Sequence, residues 1–512
     1  MIMSNNKQLV KNSIYSIASF IINLFISFFF TPYLIRVVGK EAYSFFPLVN
    51  SIVGYSSIIS TAVGGMAGRF VTMRIYKKDA EGAAYYYNSV LLANWILSLF
   101  FTLLSAVIVV YLDRILTIPQ NLDSEVKVLF AFACASSVLG LMTNILGLGC
   151  FVKNRLDLTS SRTMVTSLFR VGMILLCFSI FRPSIVYMSS SAFFAAIILA
   201  FFNIKFKRKL LPEIPLNVVK YFKWTYLKEV MSSSVWSSVN QLGMILVTQL
   251  DLLITNIFIG VSATGDYSIA KTIPTLMIQF IATLCSVFVP SFNILYAKGE
   301  KQNLMHEIAK SIKLMGIFSA IPIGFLMIYG KAFFNLWVPG QNTDVIFELS
   351  QLTLIPLLFN GAVNPLFHIY AVVNKVKLPS IAFVFFGLLQ TAVVLSLLSC
   401  TNLGLWAIPI GSLVVNVIKL LTFVPMYAAK CLGLPYSFFH NQIIKVVSSC
   451  FFTLILGWLC INLVPSNTWT LFVLNGVIVC SSSLVLIGWL YLNKAERQYL
   501  LRKLGNRKIL NK

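Results

Sequence analysis

Stretches of about 20 apolar residues recur along the whole chain, and they limit what it can fold into. A stretch of 18 or more residues that holds almost no charge is long enough to cross a bilayer as an α-helix. No soluble core could bury a chain in which 58% of the residues are apolar and 11% are charged. The sequence therefore predicts an all-α polytopic membrane protein with about 14 transmembrane helices. The predicted spans lie near 14–35, 44–66, 89–111, 128–150, 163–181, 184–204, 233–259, 267–290, 312–330, 349–372, 379–399, 403–425, 443–463 and 470–492.

The positive charge of the chain follows these spans. The formal net charge is +24, from 40 Lys and Arg residues against 16 Asp and Glu residues. If the N-terminus is cytoplasmic, 31 of the 40 Lys and Arg residues fall in segments on the cytoplasmic side, 6 on the outer side and 3 within spans. Basic loops stay on that side of a membrane, so this placement accounts for the charge without a nucleic-acid partner. The sequence predicts a multi-pass protein with both termini in the cytoplasm.

Two short segments in different halves of the chain resemble each other: NRLDLTS at 154–160 and NKVKLPS at 374–380. Other landmarks recur in the same order at nearly the same offset, namely Gly39 with Gly260 and Tyr76 with Tyr296. Together they indicate a duplication of six spans. Because six is even, both copies have the same orientation, which gives a parallel repeat about an axis along the membrane normal. Transporters use such repeats for alternating access.

The repeat and the loops predict five parts of the chain. They are an N-terminal six-helix lobe (1–204), a basic cytoplasmic linker (205–232), a C-terminal six-helix lobe (233–430), helices 13 and 14 (431–492) and a basic cytoplasmic tail (493–512). In the linker, Val218, Phe222, Tyr226 and Val230 recur every fourth residue. That spacing is typical of a helix lying on an anionic leaflet, and a solvated linker is the alternative. The tail has the same two interpretations.

The chain resembles a known family at the residues NSIYSIASFIINLFISFFFTPYLIRVVGKEAYSFF near its start and DLLITNIFIGVSATGDYSIAK in spans 7 and 8. With its plan of twelve plus two spans, it is similar to the polysaccharide-transport branch of the multidrug/oligosaccharidyl-lipid/polysaccharide (MOP) exporter superfamily. That branch holds the bacterial O-antigen, capsule and teichoic-acid flippases. The resemblance implies two six-helix lobes around a central cavity in the bacterial cytoplasmic (inner) membrane, and no cofactor. It implies an undecaprenyl-pyrophosphate-linked oligosaccharide as cargo, membrane lipids as partners, and a polymerase and glycosyltransferases in the same pathway.

A cargo of that kind requires cationic side chains that face a hydrated cavity. A charge at mid-bilayer costs about 2.5–3.5 kcal/mol on insertion scales, so a charge kept there favours a functional interpretation. Arg170 lies about two turns inside span 5, either as a cavity cation for the pyrophosphate or in a structural pair. Lys271 and Lys419 lie nearer the ends of spans 8 and 12, where a lysine can snorkel to water. Arg69, at the inner end of span 2, is either an entry contact or a positive-inside anchor.

Two further features of the spans are candidates for the transport cycle. Asp251 in span 7 is either a carboxylate that couples transport to protons or sodium ions, or the partner of Lys271 in a structural ion pair. The stretch NGAVNP in span 10 contains Asn360, Asn364 and a proline, which removes a backbone hydrogen bond. It is predicted to face the cavity or to form a hinge, and MTNILG at 142–147 is its counterpart in span 4.

Two other functions stay open on the sequence. A multidrug or organic-cation antiporter of the same superfamily would need acidic lobes, whereas the spans hold one acid, Asp251, against the bases Arg170, Lys271 and Lys419. A membrane polysaccharide polymerase would need acids in long outer loops, and the predicted outer loops are short. The chain contains no HExxH or GxxxxGK[ST] motif, and its three His and nine Cys residues form no metal-binding pattern. The sequence therefore predicts a transporter, not an enzyme, with no metal.

Overall fold

The computed structural model describes residues 2–491, and within them the chain is helical with no strand. Short 3₁₀ helices cover Gln120–Leu122, Asn144–Gly147 and Gly404–Trp406. The α-helices are α1 (Ile2–Val38), α2 (Lys40–Gly54), α3 (Ser57–Tyr76), α4 (Ala80–Val110), α5 (Leu112–Ile115), α6 (Asp123–Thr143), α7 (Leu148–Val152), α8 (Leu156–Ile180), α9 (Val186–Leu210), α10 (Val218–Tyr221), α11 (Trp224–Phe258), α12 (Val261–Ala270), α13 (Thr272–Cys285), α14 (Val289–Ala297), α15 (Lys301–Trp337), α16 (Thr343–Val372), α17 (Lys377–Cys400), α18 (Ala407–Leu421), α19 (Phe423–Leu432), α20 (His440–Leu463) and α21 (Trp469–Tyr491).

The helices confirm the predicted fold class. Within residues 2–491, 13 helical segments are long and apolar enough to cross a bilayer. The remaining predicted span, near 44–66, corresponds to α2 and α3, which are separated at Tyr55 and Ser56. The chain is thus an all-α, multi-pass membrane protein with about 14 spans.

The backbone repeats where the sequence repeats. Six of the nine positive-φ residues of the described chain form three pairs whose members are separated by the offset of the sequence repeat, to within one position. The pairs are Gly39 with Gly260 (φ 85° and 119°), Lys78 with Gly299 (61° and 73°) and Asn154 with Asn374 (51° and 55°). Each residue lies at the break between two helices. The two copies therefore share their helix ends as well as their residue pattern.

The recurring NRLDLTS and NKVKLPS segments are helix stops. Each begins with an Asn in the left-handed region, which Asn adopts more readily than other residues with a Cβ. The next backbone N–H then bonds back across the turn, from Arg155 to the carbonyl of Cys150 (2.7 Å) and from Lys375 to that of Tyr370 (2.8 Å). This bond is the six-to-one closure of a Schellman motif. The repeated segment thus ends one span and begins the next.

Replacing Asn154 by valine should lower the free energy of unfolding by about 1–2 kcal/mol, because a β-branched residue at positive φ is strained. Replacing Asn154 by glycine should leave stability unchanged, because glycine adopts this conformation without strain. Thermal unfolding in detergent measures both effects. Equal losses for the two variants would assign the role to the Asn154 side chain, which accepts a hydrogen bond from Asn12 (3.1 Å), and not to the backbone conformation.

Contacts divide the chain into two compact units. The first unit comprises the chain up to Ile269 together with Val376–Gly411. In it α1 packs against α8, α6 against α4 and α9, and α11 against α3 and α17. The second unit comprises Ala270–Lys375 and the chain from Ser412 onward. In it α15 packs against α16, α20 and α21, and α13 packs against α16. The predicted lobe boundaries at 204, 233 and 430 stay predictions.

The segment 205–232 is not one helix. It comprises the last turns of α9, an irregular stretch, the single turn of α10 and the beginning of α11. Ile214, Leu227 and Val230 are buried in a cluster with apolar residues of α3 and α4. These side chains anchor the segment to its own unit. Because they pack on protein, they are not available to insert into a lipid leaflet. The predicted tail, 493–512, lies outside the described residues.

Candidate functional site

Arg170 lies in the middle of α8, far from either end of the span. Ten residues separate it from Ile180, or about 15 Å at 1.5 Å per residue. The Arg170 side chain is half-buried, and its buried Nε has no hydrogen-bond partner among the described residues. The guanidinium carbon lies 6.0 Å from the ring centroid of Phe46 in α2, at the outer limit of a cation–π contact. Arg170 is thus a cation within the span whose Nε has unused hydrogen-bonding capacity.

A row of hydroxyl groups leads along α8 to this arginine. Thr159, Thr163 and Thr166 precede Arg170 at intervals of four, three and four residues, so the four residues share one helix face. Thr163 and Thr166 donate hydrogen bonds to carbonyls of their own helix, each at 3.0 Å. These threonines are exposed or half-buried, whereas a lipid-facing surface is apolar. The row is suited to a water-filled path that ends at Arg170.

Asp251 in α11 is the centre of a second polar group in the same unit. Its side chain is 5% exposed, and it accepts hydrogen bonds from the Tyr267 hydroxyl (3.1 Å) and from Nε2 of Gln390 in α17 (3.3 Å). The offset of the repeat relates Gln390 to Arg170, and Tyr267 to Phe46. The positions that hold a cation and an aromatic ring in the first copy therefore surround a carboxylate in the second copy.

Sequence reasoning missed Tyr267 and Gln390 as partners of Asp251. The signal that could identify them is the offset of the repeat, which relates Arg170 directly to Gln390. Applied to the candidate residues, that offset makes Gln390 a candidate from the sequence alone, because it is the counterpart of Arg170.

Asn360 and Asn364 lie on one face of α16 in the second unit, with His368 one turn further on. All three side chains are half-buried, whereas Ala362 and Val363 on the other faces are fully buried. The helix α16 continues through its proline at 365 without a break. In the first copy the 3₁₀ helix Asn144–Gly147 separates α6 from α7 at the equivalent position. The backbone irregularity is thus found in span 4 and not in span 10.

A polar row on α13 was not predicted. Thr272, Thr275, Gln279, Thr283 and Ser286 follow one another at intervals of three and four residues. All five side chains are exposed or half-buried. The helices α13 and α16 pack against each other in the second unit. That unit therefore contains two polar helix faces, the row on α13 and the face of α16 that carries Asn360 and Asn364. Side chains of this kind bind sugar hydroxyls without requiring a charge.

The other candidate cations are found in three different settings. Lys419 in α18 is 7% exposed, and its Nζ donates to Oδ1 of Asn416 at 2.7 Å. Lys271 is half-buried between α12 and α13. Arg69 is exposed on α3. Of the predicted residues, Arg69, Arg170 and Asp251 belong to the first unit, and Lys271, Asn360, Asn364 and Lys419 belong to the second.

Arg162 is a structural cation that sequence reasoning passed over. Its guanidinium donates a hydrogen bond to Oδ1 of Asn203 in α9, and Asn203 donates to the carbonyl of Thr143 (3.2 Å). A Cβ at Gly147 would lie 2.7 Å from the guanidinium. Glycine at 147 therefore makes room for this pair beside the 3₁₀ helix, which gives Arg162 a packing role.

A cysteine at position 364 should react with a membrane-impermeant, water-soluble maleimide in membrane vesicles. Asn364 shares its helix face with Asn360, and a face with two amide groups is unsuited to contact with lipid. Water should therefore reach position 364. Position 385 in α17 is a matched control, because Phe385 is 59% exposed on an apolar face and a cysteine there should react slowly. Each variant is made in a chain without its native cysteines. Equal, slow labelling at both positions would mean that Asn364 faces lipid.

Comparisons with known proteins show the family of the chain and agree with its fold. The model of the family described as "Polysaccharide biosynthesis protein" matches residues 9–295. The membrane protein EpsK of Bacillus subtilis (strain 168) is 28% identical over 488 residues, which cover 95% of this chain and 96% of the relative. Among solved structures, the lipid II flippase MurJ in an inward closed conformation is similar with a TM-score of 0.69 at 12% identity. That likeness covers 94% of this chain and 100% of the MurJ chain.

The fold is also that of multidrug transporters. An inward-facing multidrug resistance MATE family transporter of the MOP superfamily is similar with a TM-score of 0.65 at 14% identity, covering 82% of this chain and 94% of the other. These structural likenesses, at low identity, establish the fold. The family model covers more than half of the chain. The chain therefore belongs to the polysaccharide biosynthesis protein family, is a multi-pass membrane protein, and has the fold that MurJ and the MATE transporters share.

Proposed function

We propose that this protein is a flippase that moves undecaprenyl-pyrophosphate-linked oligosaccharide repeat units from the inner to the outer leaflet of the bacterial cytoplasmic membrane. The observation that carries the proposal is Arg170, a guanidinium held at mid-span with a buried, unpartnered Nε. A charge kept at that depth without a hydrogen-bonding partner at its Nε is costly. An anionic cargo would offset that cost during each transport cycle.

Arginine is well suited to the pyrophosphate of such a cargo. Its planar guanidinium donates two parallel hydrogen bonds to one phosphate, and it remains charged at any physiological pH. The threonine row on α8 gives the phosphates a polar surface along which to reach Arg170. The polar rows on α13 and α16 give the glycan hydroxyl and amide groups.

Alternating access explains why the fold is duplicated. In transporters with repeats, rocking of one bundle of helices against another exposes a fixed site to each side in turn. We propose Asp251 as the group that couples this motion to a proton or sodium gradient. Asp251 is the one acid inside the predicted spans, and a carboxylate is a side chain that can bind either ion. Lys271, Lys419 and Arg69 are proposed as further contacts along the anionic path.

The proposed cargo defines which reactions must come before and after transport. Glycosyltransferases must assemble the repeat unit on the inner leaflet before transport, and a polymerase must consume it on the outer leaflet. We propose these enzymes as functional partners, with the N- and C-termini of the flippase in the cytoplasm.

A multidrug or organic-cation antiporter is the second candidate. The MATE-like fold supports it, and so does Asp251, because a buried acid attracts cationic drugs. The charge of the described spans favours the flippase, since Arg170, Lys271 and Lys419 would all repel a cation.

Mass spectrometry of polyprenyl-linked lipids in cells that lack this gene tests the proposal. Completed pyrophosphate-linked repeat units should accumulate in the null strain, and their mass would identify the glycan. The accumulation should disappear when the wild-type gene is restored. An unchanged lipid pool with new sensitivity to cationic dyes would refute the flippase and support the antiporter.

A further inference from the structure

An ion pair joins α2 to α12 within the first unit. Under the proposed orientation both helices begin on the outer side of the membrane, directly after Gly39 and Gly260, which are counterparts in the repeat. Nζ of Lys40 lies 2.9 and 3.1 Å from the two carboxylate oxygens of Asp266. The Lys40 side chain is 25% exposed and the Asp266 side chain is 13% exposed. The pair therefore joins corresponding ends of the two copies and is partly shielded from water.

The two helices also approach each other closely beside this pair. A Cβ placed on Gly265 would lie 3.1 Å from the carbonyl oxygen of Lys40 and 3.4 Å from its Cγ. The first distance is shorter than an ordinary van der Waals contact. Because glycine has no Cβ, it allows α12 to come this near to the beginning of α2.

A second polar contact between the copies lies at the outer end of α11. The Asn256 side chain is fully buried. It accepts a hydrogen bond from the backbone N–H of Thr117 (3.0 Å) and donates one to the carbonyl of the same residue (3.4 Å). Thr117 follows α5 in a predicted outer loop of the first copy, whereas α11 is the first span of the second copy. The outer ends of the two copies are thus joined twice.

The inner end of α11 is joined to the first copy by apolar contacts. Leu227 and Val230 are buried there in a cluster with residues of α3 and α4. Separating such a cluster would expose apolar surface to water, which is unfavourable. Polar groups that separate form hydrogen bonds with water instead, so their net loss is small. The two outer contacts are therefore of a kind that can open and close repeatedly.

We propose that the Lys40–Asp266 pair and the Asn256–Thr117 contact form an outer latch, which is closed in this structure and opens when cargo is released on the outer side. The inference rests on the proposed function, since a flippase must open its path to each side in turn. Asp251 precedes Asn256 by five residues, or about 7.5 Å along α11, and is buried. Opening of the latch would therefore give the proposed coupling carboxylate access to the outer side.

Labelling of a buried position from the outer side tests the latch. Thr255 is fully buried, one turn beyond Asp251. In a full-length chain without its native cysteines, Thr255→Cys should react slowly with a membrane-impermeant maleimide added to intact cells. Adding Asp266→Asn removes the charge at nearly constant shape and should accelerate labelling by about fivefold. The exchanged pair Lys40→Asp, Asp266→Lys restores the attraction and should restore slow labelling.

A second outer ion pair provides a matched control. Nζ of Lys331 lies 2.7 Å from Asp344, and both side chains are exposed. Asp344→Asn should therefore leave the labelling of Thr255→Cys unchanged. Unchanged labelling in Asp266→Asn would overturn the latch. Fast labelling in the exchanged pair would also overturn it, because the effect would then come from general loosening of the helices.

Cross-linking tests whether the latch must open during transport. The Cγ of Lys40, where a cysteine would have its sulfur, lies 3.4 Å from the Cβ position of Gly265, which is close enough for a disulfide. In the variant Lys40→Cys, Gly265→Cys, oxidation should stop the flipping of lipid-linked oligosaccharide in proteoliposomes, and reduction should restore it. Each single-cysteine variant should be insensitive to oxidation.

The two readouts separate failure of the latch from failure of the proposed function. Normal transport by the fully cross-linked protein would overturn the latch. Absence of transport in the wild type as well, together with the expected labelling of Thr255→Cys, would refute the proposed cargo and retain the latch, because labelling does not depend on the cargo.

Discussion

Replacing Arg170 by methionine is expected to lower the rate of glycan-lipid transport on the order of 100-fold while leaving the stability of the protein nearly unchanged. Removing one partner of a desolvated, hydrogen-bonded charge pair costs about 2–5 kcal/mol. A loss of about 3 kcal/mol in the contact between Arg170 and the pyrophosphate corresponds to that factor. The rate is measured as flipping of a labelled lipid-linked oligosaccharide in proteoliposomes.

The stability measurement separates transport from packing, because two opposite contributions nearly cancel. The cation–π contact with Phe46 is worth about 0.5–2 kcal/mol to the folded state. The buried Nε without a hydrogen-bond partner costs about 1–3 kcal/mol. Methionine fills a similar volume without a polar atom, so the free energy of unfolding should change by less than about 1 kcal/mol. A residue needed for helix packing would instead lose stability and transport together.

Two further variants complete the test of Arg170. Arg170→Lys keeps the charge but loses the planar fork, and its rate should lie between those of wild type and Arg170→Met. Arg182 is exposed between α8 and α9, so Arg182→Met is a matched control that should transport normally. If Arg170→Met transported at the wild-type rate, Arg170 would have no part in binding the pyrophosphate.

The spans and the repeat could be predicted from sequence because both depend on regular patterns. An apolar run of about 20 residues has one stable form in lipid, which is a helix. The Asn154 and Asn374 pair was visible because a left-handed helix stop tolerates few residue types. Such local constraints leave a direct mark in the sequence.

The partners of the candidate residues could not be predicted in the same way. Asp251 binds Gln390 across 139 residues of chain, and such a contact depends on how α11 packs against α17. The linker shows the same limit, since Val230 belongs to the predicted spacing of an interfacial helix yet is buried in a protein core, with Val218 and Tyr226 packed against that core. Periodicity shows that a face is apolar and does not show what covers it.

Replacing Asp251 by asparagine is expected to abolish the dependence of transport on an ion gradient while substrate binding is retained. Asparagine is uncharged, like the protonated acid, and its oxygen can still accept from Tyr267 or Gln390, so the local packing is kept. A coupling free energy of about 1–3 kcal/mol changes a rate or an affinity by roughly 5–150-fold. An imposed proton or sodium gradient should therefore accelerate the wild type by about tenfold, and Asp251→Asn by a factor near one. The same proteoliposome assay, with each gradient imposed in turn, also identifies the ion.

If Asp251 instead forms a structural ion pair with Lys271, the double variant Asp251→Asn, Lys271→Gln should behave differently. If the two charges only neutralise each other, Asp251→Asn leaves an uncompensated cation, and adding Lys271→Gln should restore both stability and transport. If Asp251 is the coupling group, the double variant should remain insensitive to the gradient, because no titratable carboxylate has been returned.

Gln390→Leu gives an independent check, since it removes a donor to Asp251 but keeps the acid. It should retain gradient dependence, because the coupling group is still present.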